Sequence, residues 1–195
     1  MSTTISETTY GYNSLTEVED MALIHASKES PYVPSRTEYV RLLINAGTNL
    51  DHRDDHGFTA LMWSVSVGNP VSTRLLLEAG ADKNATDHFG VTALICATQY
   101  DFNVFDASHV EYSHVECARL LVENGVDINV SDKHGCTALM WAAEKGRHEC
   151  VRYLLSVGAD TELEDVFGFT ALRMAYRAGR HECVRLLLDN AKNFL

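Results

Sequence analysis

The chain of 195 residues is poor in proline and glycine and has no long apolar run. Only 3 Pro and 12 Gly stand beside 46% hydrophobic residues, which excludes a collagen-like, low-complexity or wholly disordered chain. No apolar run approaches the ~20 residues that a helix needs to cross a bilayer, so we expect no membrane-spanning segment. The N-terminal stretch MSTTISETTYGYNSL has no basic start and no apolar region, so we expect no secretory signal.

Positive charge is also scarce. Lys and Arg number 16 against 27 Asp and Glu, which gives a net charge of −11. This total would repel polyanions, so we expect no nucleic acid and no anionic membrane as partner, and we favour a protein with a basic surface. Five cysteines, an odd number without a secretory signal, predict a reduced cytoplasmic protein, with a cytoskeletal or nuclear location as alternatives.

Two short motifs recur along the chain at matching intervals. The pattern G-x-T-A-L has copies that lie 33, 45 and 33 residues apart, beginning at Gly57, Gly90, Gly135 and Gly168. The pattern R-[LY]-L has spacings of 33, 45, 33 and 33, beginning at Arg41, Arg74, Arg119, Arg152 and Arg185. Because both ladders contain the same longer interval, we predict an array of repeats with one insertion.

Each repeat has the pattern of two short helices followed by a turn. In the fourth copy, Thr137–Lys145 predicts one helix, and Cys150, Val151 and Leu154 form the apolar face of a second. Gly158 then occupies a C-terminal cap position, where positive φ costs glycine little. Helices this short are stable only when they stack on neighbours, so the fold class is predicted to be all-α.

These repeats resemble the ankyrin repeat family. The matching residues are Asp-x-x-Gly-x-Thr before the first helix, as in Asp87–Thr92 and Asp132–Thr137, and L-L-L-x-x-Gly-Ala-Asp at the end, as in Leu75–Asp82. The family's Thr-Pro-Leu-His is replaced by Thr-Ala-Leu followed by Met, Ile or Arg, a variant similar to ankyrin proteins of protists. The resemblance implies an ankyrin-repeat solenoid of stacked helix-loop-helix units with hairpin turns.

The resemblance covers residues 17–195 in five repeats, at about 17–53, 54–86, 87–131, 132–164 and 165–195. Residues 1–16 hold eight Ser or Thr and no core pattern, so we expect a flexible N-terminal tail. Acidic residues near the start, and Arg173, Tyr176 and Arg177 in the last repeat, predict a polar cap at both ends of a complete array.

Three patterns suggest chemistry, and each has a structural interpretation that we favour. Cys117, Cys150 and Cys183 follow His or Glu in successive repeats, but stacked helices lie ~8–10 Å apart, too far for a shared metal. Acid–histidine pairs such as Asp55-His56 fall on exposed turns and have no nucleophile or phosphate-binding loop beside them. The five repeated arginines follow Glu at helical spacing in four copies, which predicts paired charges on a solvated face. We therefore expect no catalytic residue, no metal and no cofactor.

By the same resemblance, a partner would bind the tips of the hairpin turns and the ends of the inner helices, which line a concave groove. Exposed aromatic side chains at the tips are candidate hot spots, although some could pack on the neighbouring repeat instead. Trp63 and Trp141 are interpreted as core residues, with a place in the binding groove as the alternative. The partner-binding residues expected at the tips and helix ends are Asp55, His56, Phe58, His88, Phe89, Val91, Tyr100, Lys133, His134, Glu144, Lys145, Phe167 and Phe169.

The longer interval places an insertion at Asp101–Tyr112, where Phe102 and Phe105 are too apolar for a merely solvated loop. We expect a partly ordered loop that contacts the groove or the partner. A shorter insertion within Ser27–Arg36 would emerge on the same edge of the array.

Together these features predict a non-catalytic protein–protein interaction module, an adaptor or scaffold that is a monomer by itself. One alternative is a structural subunit of a cytoskeletal or ciliary assembly, which would pellet with that assembly. A second is a stoichiometric inhibitor of an enzyme such as a kinase, which would form a tight one-to-one complex.

Overall fold

The computed structural model describes residues 15–28, 34–99 and 107–192. Within those ranges the chain forms ten helices and no β-strand, apart from two isolated bridges that join Thr86 to Thr92 and Ser131 to Thr137. The prediction of an all-α repeat fold is therefore confirmed. The helices are α1 (Leu15–Lys28), α2 (Pro34–Asn45), α3 (Ala60–Ser66), α4 (Pro70–Glu78), α5 (Ala93–Gln99), α6 (Ala107–Glu123), α7 (Ala138–Lys145), α8 (His148–Ser156), α9 (Ala171–Arg177) and α10 (His181–Lys192).

The helices form two layers. The odd-numbered helices pack on one another in chain order as an inner layer, and the even-numbered helices do the same as an outer layer. Each inner helix also packs on the outer helix that follows it, so that α1–α2 through α9–α10 are five successive units, here called the first to the fifth. Since each unit buries its apolar faces mainly against its neighbours, the core runs along the whole array.

The recurring Thr-Ala-Leu sequence begins the inner helices of the last four units. The threonine hydroxyl accepts a hydrogen bond from the backbone N–H three residues later, at 3.3 Å for Thr59 and Thr92 and at 3.4 Å for Thr137 and Thr170. This bond satisfies one of the amides that the first turn of a helix leaves unpaired. The alanine and leucine that follow are buried in the second, third and fourth units, which explains why the three residues recur together.

Two boundaries differ from those predicted. Helix α1 begins at Leu15, so the repeat region starts slightly before residue 17. Helix α6 begins at Ala107 and has 17 residues, so residues 107–112 of the predicted loop are an extension of an outer helix. The expectation of a partly ordered insertion at 101–112 stays a prediction for residues 101–106, which lie outside the described residues. Tyr100, Phe102, Phe105 and the N-terminal tail up to residue 14 lie outside the described residues.

Candidate functional site

The turns between units are built on one aspartate each. Oδ1 of Asp132 accepts hydrogen bonds from the backbone N–H of His134 at 2.8 Å and of Cys136 at 3.0 Å. The same pair of bonds, to the second and fourth residues after the aspartate, forms in the other turns, at Asp54, Asp87 and Asp165. These bonds hold each turn in one conformation without help from a partner. The four turns, residues 54–58, 87–91, 132–136 and 165–169, are called the tip row.

Adjacent tips also contact each other directly. The N–H of Lys133 donates to the carbonyl of Phe89 and the N–H of Val166 donates to that of His134, both at 2.9 Å. Gly135 makes this approach possible, because its φ is 78° and a Cβ there would lie 3.1 Å from the backbone nitrogen of Val166. The last three tips are therefore hydrogen-bonded into one continuous surface.

The two tryptophans join this surface to the inner helices. The indole Nε1 of Trp63 donates to Oδ2 of Asp54 at 2.8 Å, and that of Trp141 donates to Oδ2 of Asp132 at 2.9 Å. Trp63 is buried, with the ammonium of Lys28 4.2 Å from its ring centre. Trp141 is only half-buried, with the ammonium of Lys145 5.5 Å from its ring centre. Trp141 is therefore less buried than the favoured interpretation as a core residue implies.

Most of the predicted tip residues are exposed. The side chains of Phe89 and Phe167 are 63% and 76% exposed, which is unusual for phenylalanine and costs favourable burial. Two residues are corrections: Phe58 and Val91 are buried, because the chain turns back into the core at the fourth residue after the aspartate. The ring of Phe58 packs 4.9 Å from that of Trp63. The predicted residues that are exposed are Asp55, His56, His88, Phe89, Lys133, His134 and Phe167.

A cavity of about 370 Å³ opens between the tips and inner helices of the fourth and fifth units. Phe167 and Phe169 form one side of it, and Trp141 and Glu144 form another. Arg177 also lines the cavity, with its guanidinium 4.8 Å from the ring centre of Phe169. Glu144, Lys145 and Phe169 are half-buried here. The structure thus brings tip residues and inner-helix ends together around one cavity.

The cysteines are structural. All five are thiols outside any disulfide, and all five are buried. Burial raises the pKa of Cys117 to about 12, so this thiol stays protonated at neutral pH and is neither a nucleophile nor a ready metal ligand. Within the described ranges, no group of three His, Cys, Asp or Glu side chains is placed to hold a metal ion.

The repeated arginines form ion pairs along the outer layer. Arg119 and Arg152 lie 3.0 and 3.4 Å from Glu116 and Glu149 of their own helices. Arg152 also reaches Glu182 of the next unit at 3.9 Å. Because each positive charge has an acidic neighbour, this face offers no unpaired stripe for an anion. No helix in the described part of the chain is long and apolar enough to cross a membrane.

One family model matches nearly the whole chain. The model described as Ankyrin repeats (3 copies) matches residues 8–87, 34–107, 73–165 and 104–194 in overlapping registers. No curated protein matches the chain.

Proposed function

Because the chain belongs to the ankyrin repeat family, whose members are generally protein–protein interaction modules, we propose that it binds another protein through the tip row and the ends of its inner helices. The observation that carries this proposal is the pair of exposed rings, Phe89 and Phe167, on turns whose backbones are already hydrogen-bonded. A rigid surface loses little conformational entropy when a partner docks, so exposed aromatic area there converts well into affinity.

The cavity beside Trp141 is the proposed anchor point. Its walls combine aromatic rings with both charges, from Glu144 and Arg177, so it suits a large side chain that has an apolar body and a polar end. Arginine and tyrosine of a partner fit this description, and both are enriched at binding hot spots. The net charge of −11 favours an arginine on a basic partner surface.

The proposed surface also includes Tyr100, Phe102 and Phe105. In sequence they follow Gln99, the last residue of α5. The residues equivalent to Gln99 in α7 and α9 are Glu144 and Arg177, which line the cavity. We propose that the chain acts as an adaptor or scaffold and not as a catalyst, in keeping with the typically non-catalytic character of the family. Its five buried thiols, none of them in a disulfide, fit a reducing compartment such as the cytoplasm.

The test compares matched serine variants of the full chain. Phe89→Ser and Phe167→Ser remove exposed rings from the tip row, whereas Val71→Ser removes an exposed apolar side chain from the outer helix α4. Wild type captures a partner from lysate of the source cells, and binding of that partner, once purified, is then measured by calorimetry. We expect each Phe variant to bind at least ~10-fold more weakly, which corresponds to a hot spot of more than 1 kcal/mol. Equal binding by all variants, or loss only with Val71→Ser, would overturn the proposal.

A further inference from the structure

The two ends of the array expose positions that the inner units bury. Four residues of the fourth unit are fully buried, whereas the residues at the same positions of the fifth unit, the last that the structure describes, are exposed or half-buried. There, Tyr176 is 79% exposed, Arg173 is exposed, and Leu172 and Val184 are half-buried. The four buried equivalents in the fourth unit are Leu139, Met140, Ala143 and Val151.

This end face is more apolar than a polar cap. A groove of about 620 Å³ runs across it between α9 and α10, lined by Leu172, Val184, Leu188 and the ring of Tyr176. Leu188 is 44% exposed. Arg173 and Arg177 border the groove, which agrees with the expected polar cap. They do not cover the apolar side chains that line it. Inside the array, the equivalent positions are covered by the helix pair of the next unit.

The first unit exposes the complementary positions. In the last three units, the position of Tyr39 is occupied by a buried cysteine: Cys117, Cys150 or Cys183. Cys117 accepts a hydrogen bond from the hydroxyl of Thr73 in the preceding unit at 3.6 Å, so this position faces the preceding unit. In the first unit Tyr39 is 45% exposed. Leu42 is 56% exposed, whereas its equivalents Leu75, Leu120, Tyr153 and Leu186 are buried or half-buried. Val18 of helix α1 is 48% exposed.

The two ends also differ in the sign of their charges. The described residues of α1 include Glu17, Glu19 and Asp20 beside a single lysine, Lys28. At the other end of the array, Arg173 and Arg177 border the groove. An approach that places α1 of one chain on the α9 end of another brings an excess of acidic groups to a basic border, with Lys28 as the one like charge. An approach that pairs two identical ends brings like charges together instead.

We propose that a second copy of this chain stacks its first unit, α1–α2, on the α9–α10 end face, in head-to-tail orientation. The first unit of one copy then takes the place that the next unit takes within a chain. Because this contact is heterologous and does not close on itself, further copies add to make linear oligomers. The single chain expected from the sequence is then the dilute form, and oligomers grow with concentration.

Sedimentation velocity over a wide range of protein concentration tests this proposal with the full chain. Leu188→Arg blocks the end face, Tyr39→Arg blocks the start face, and Val71→Arg places the same charge at an exposed outer position as a control. We expect the two blocked variants to be monomeric where wild type and the control associate. An equimolar mixture of the two blocked variants should form a dimer that does not grow, since only one intact face of each kind remains.

Several outcomes would overturn the proposal. A wild type that stays monomeric at the highest concentration excludes stacking, and association of Tyr39→Arg alone shows that two end faces pair instead. A mixture that stays monomeric excludes head-to-tail contact. Circular dichroism establishes that each variant keeps its helices, and Leu42→Arg replaces Tyr39→Arg if the latter does not fold.

Discussion

The hydrogen bond between Trp141 and Asp132 stabilises the junction of tip and inner helix, and it can be removed alone. In Asp132→Asn, the amide oxygen still accepts the two backbone N–H groups of the turn, as Oδ1 does now. The amide NH₂ then replaces Oδ2 and faces the indole N–H, so two donors meet. Because Asp132 is buried, water does not readily relieve this mismatch.

The third unit supplies a matched control. Asp87 makes the same two turn bonds at 2.8 Å, but the residue at the tryptophan position is Cys96, so no indole meets its second oxygen. A hydrogen bond to a charged group contributes ~1.5–3 kcal/mol, and we expect Asp132→Asn to lower the free energy of unfolding by about that amount. Asp87→Asn should cost less than ~1 kcal/mol, since it loses charge but no bonding partner.

Urea denaturation followed by far-ultraviolet circular dichroism measures both free energies. Trp141→Phe completes a double-mutant cycle, because in that background Asp132→Asn no longer places two donors together and its cost should fall to that of Asp87→Asn. Equal costs for Asp132→Asn and Asp87→Asn in the wild-type background would refute the reasoning, as would a cycle with no coupling.

Three further predictions follow from single residues. Gly135→Ala should lower the free energy of unfolding by ~2–3 kcal/mol, and Gly158→Ala by only ~1 kcal/mol. Both glycines have positive φ, but only Gly135 lies against the backbone of the next tip. Urea titrations of the two variants compare these costs. Cys117 should resist a thiol reagent in the folded protein at pH 8, because burial raises its pKa to about 12. The same thiol should react at once when the chain is unfolded in urea. Fast labelling of the folded chain would contradict its burial. Arg185 lowers the pKa of Glu182, so Glu182→Gln should make the protein less stable than wild type at neutral pH. This difference in stability should disappear as the pH falls through the lowered pKa, because Glu182 then becomes protonated. Thermal melting of both proteins over a series of pH values measures the difference.

The periodic part of the fold is predictable because one residue performs one local task in every copy. The aspartate of each turn accepts two backbone hydrogen bonds, and the threonine caps the next helix, as Asp132 and Thr137 do in the fourth unit. The same two residue types therefore recur at these positions in the other units, independently of the residues around them. The ladder of Glu and Arg on the outer layer also follows from helical spacing alone.

The candidate site is less predictable, because its exposure depends on contacts between units. Phe89 and Phe58 both lie in turns, but Phe89 is two residues after its aspartate and Phe58 is four residues after. The first position points out of the turn and the second returns to the core, a distinction that only the hydrogen-bonded turn defines. Trp141 likewise looks like Trp63 in sequence, but the neighbouring units leave one buried and the other half-buried.

The most direct test of the tip row as the binding surface is amide hydrogen exchange of the full chain with and without its captured partner. We predict slower exchange on binding at the four tips, residues 54–58, 87–91, 132–136 and 165–169, and at the C-terminal ends of α7 and α9, with little change in α4 and α8. Protection confined to the outer helices, with unchanged tips, would contradict the proposed surface.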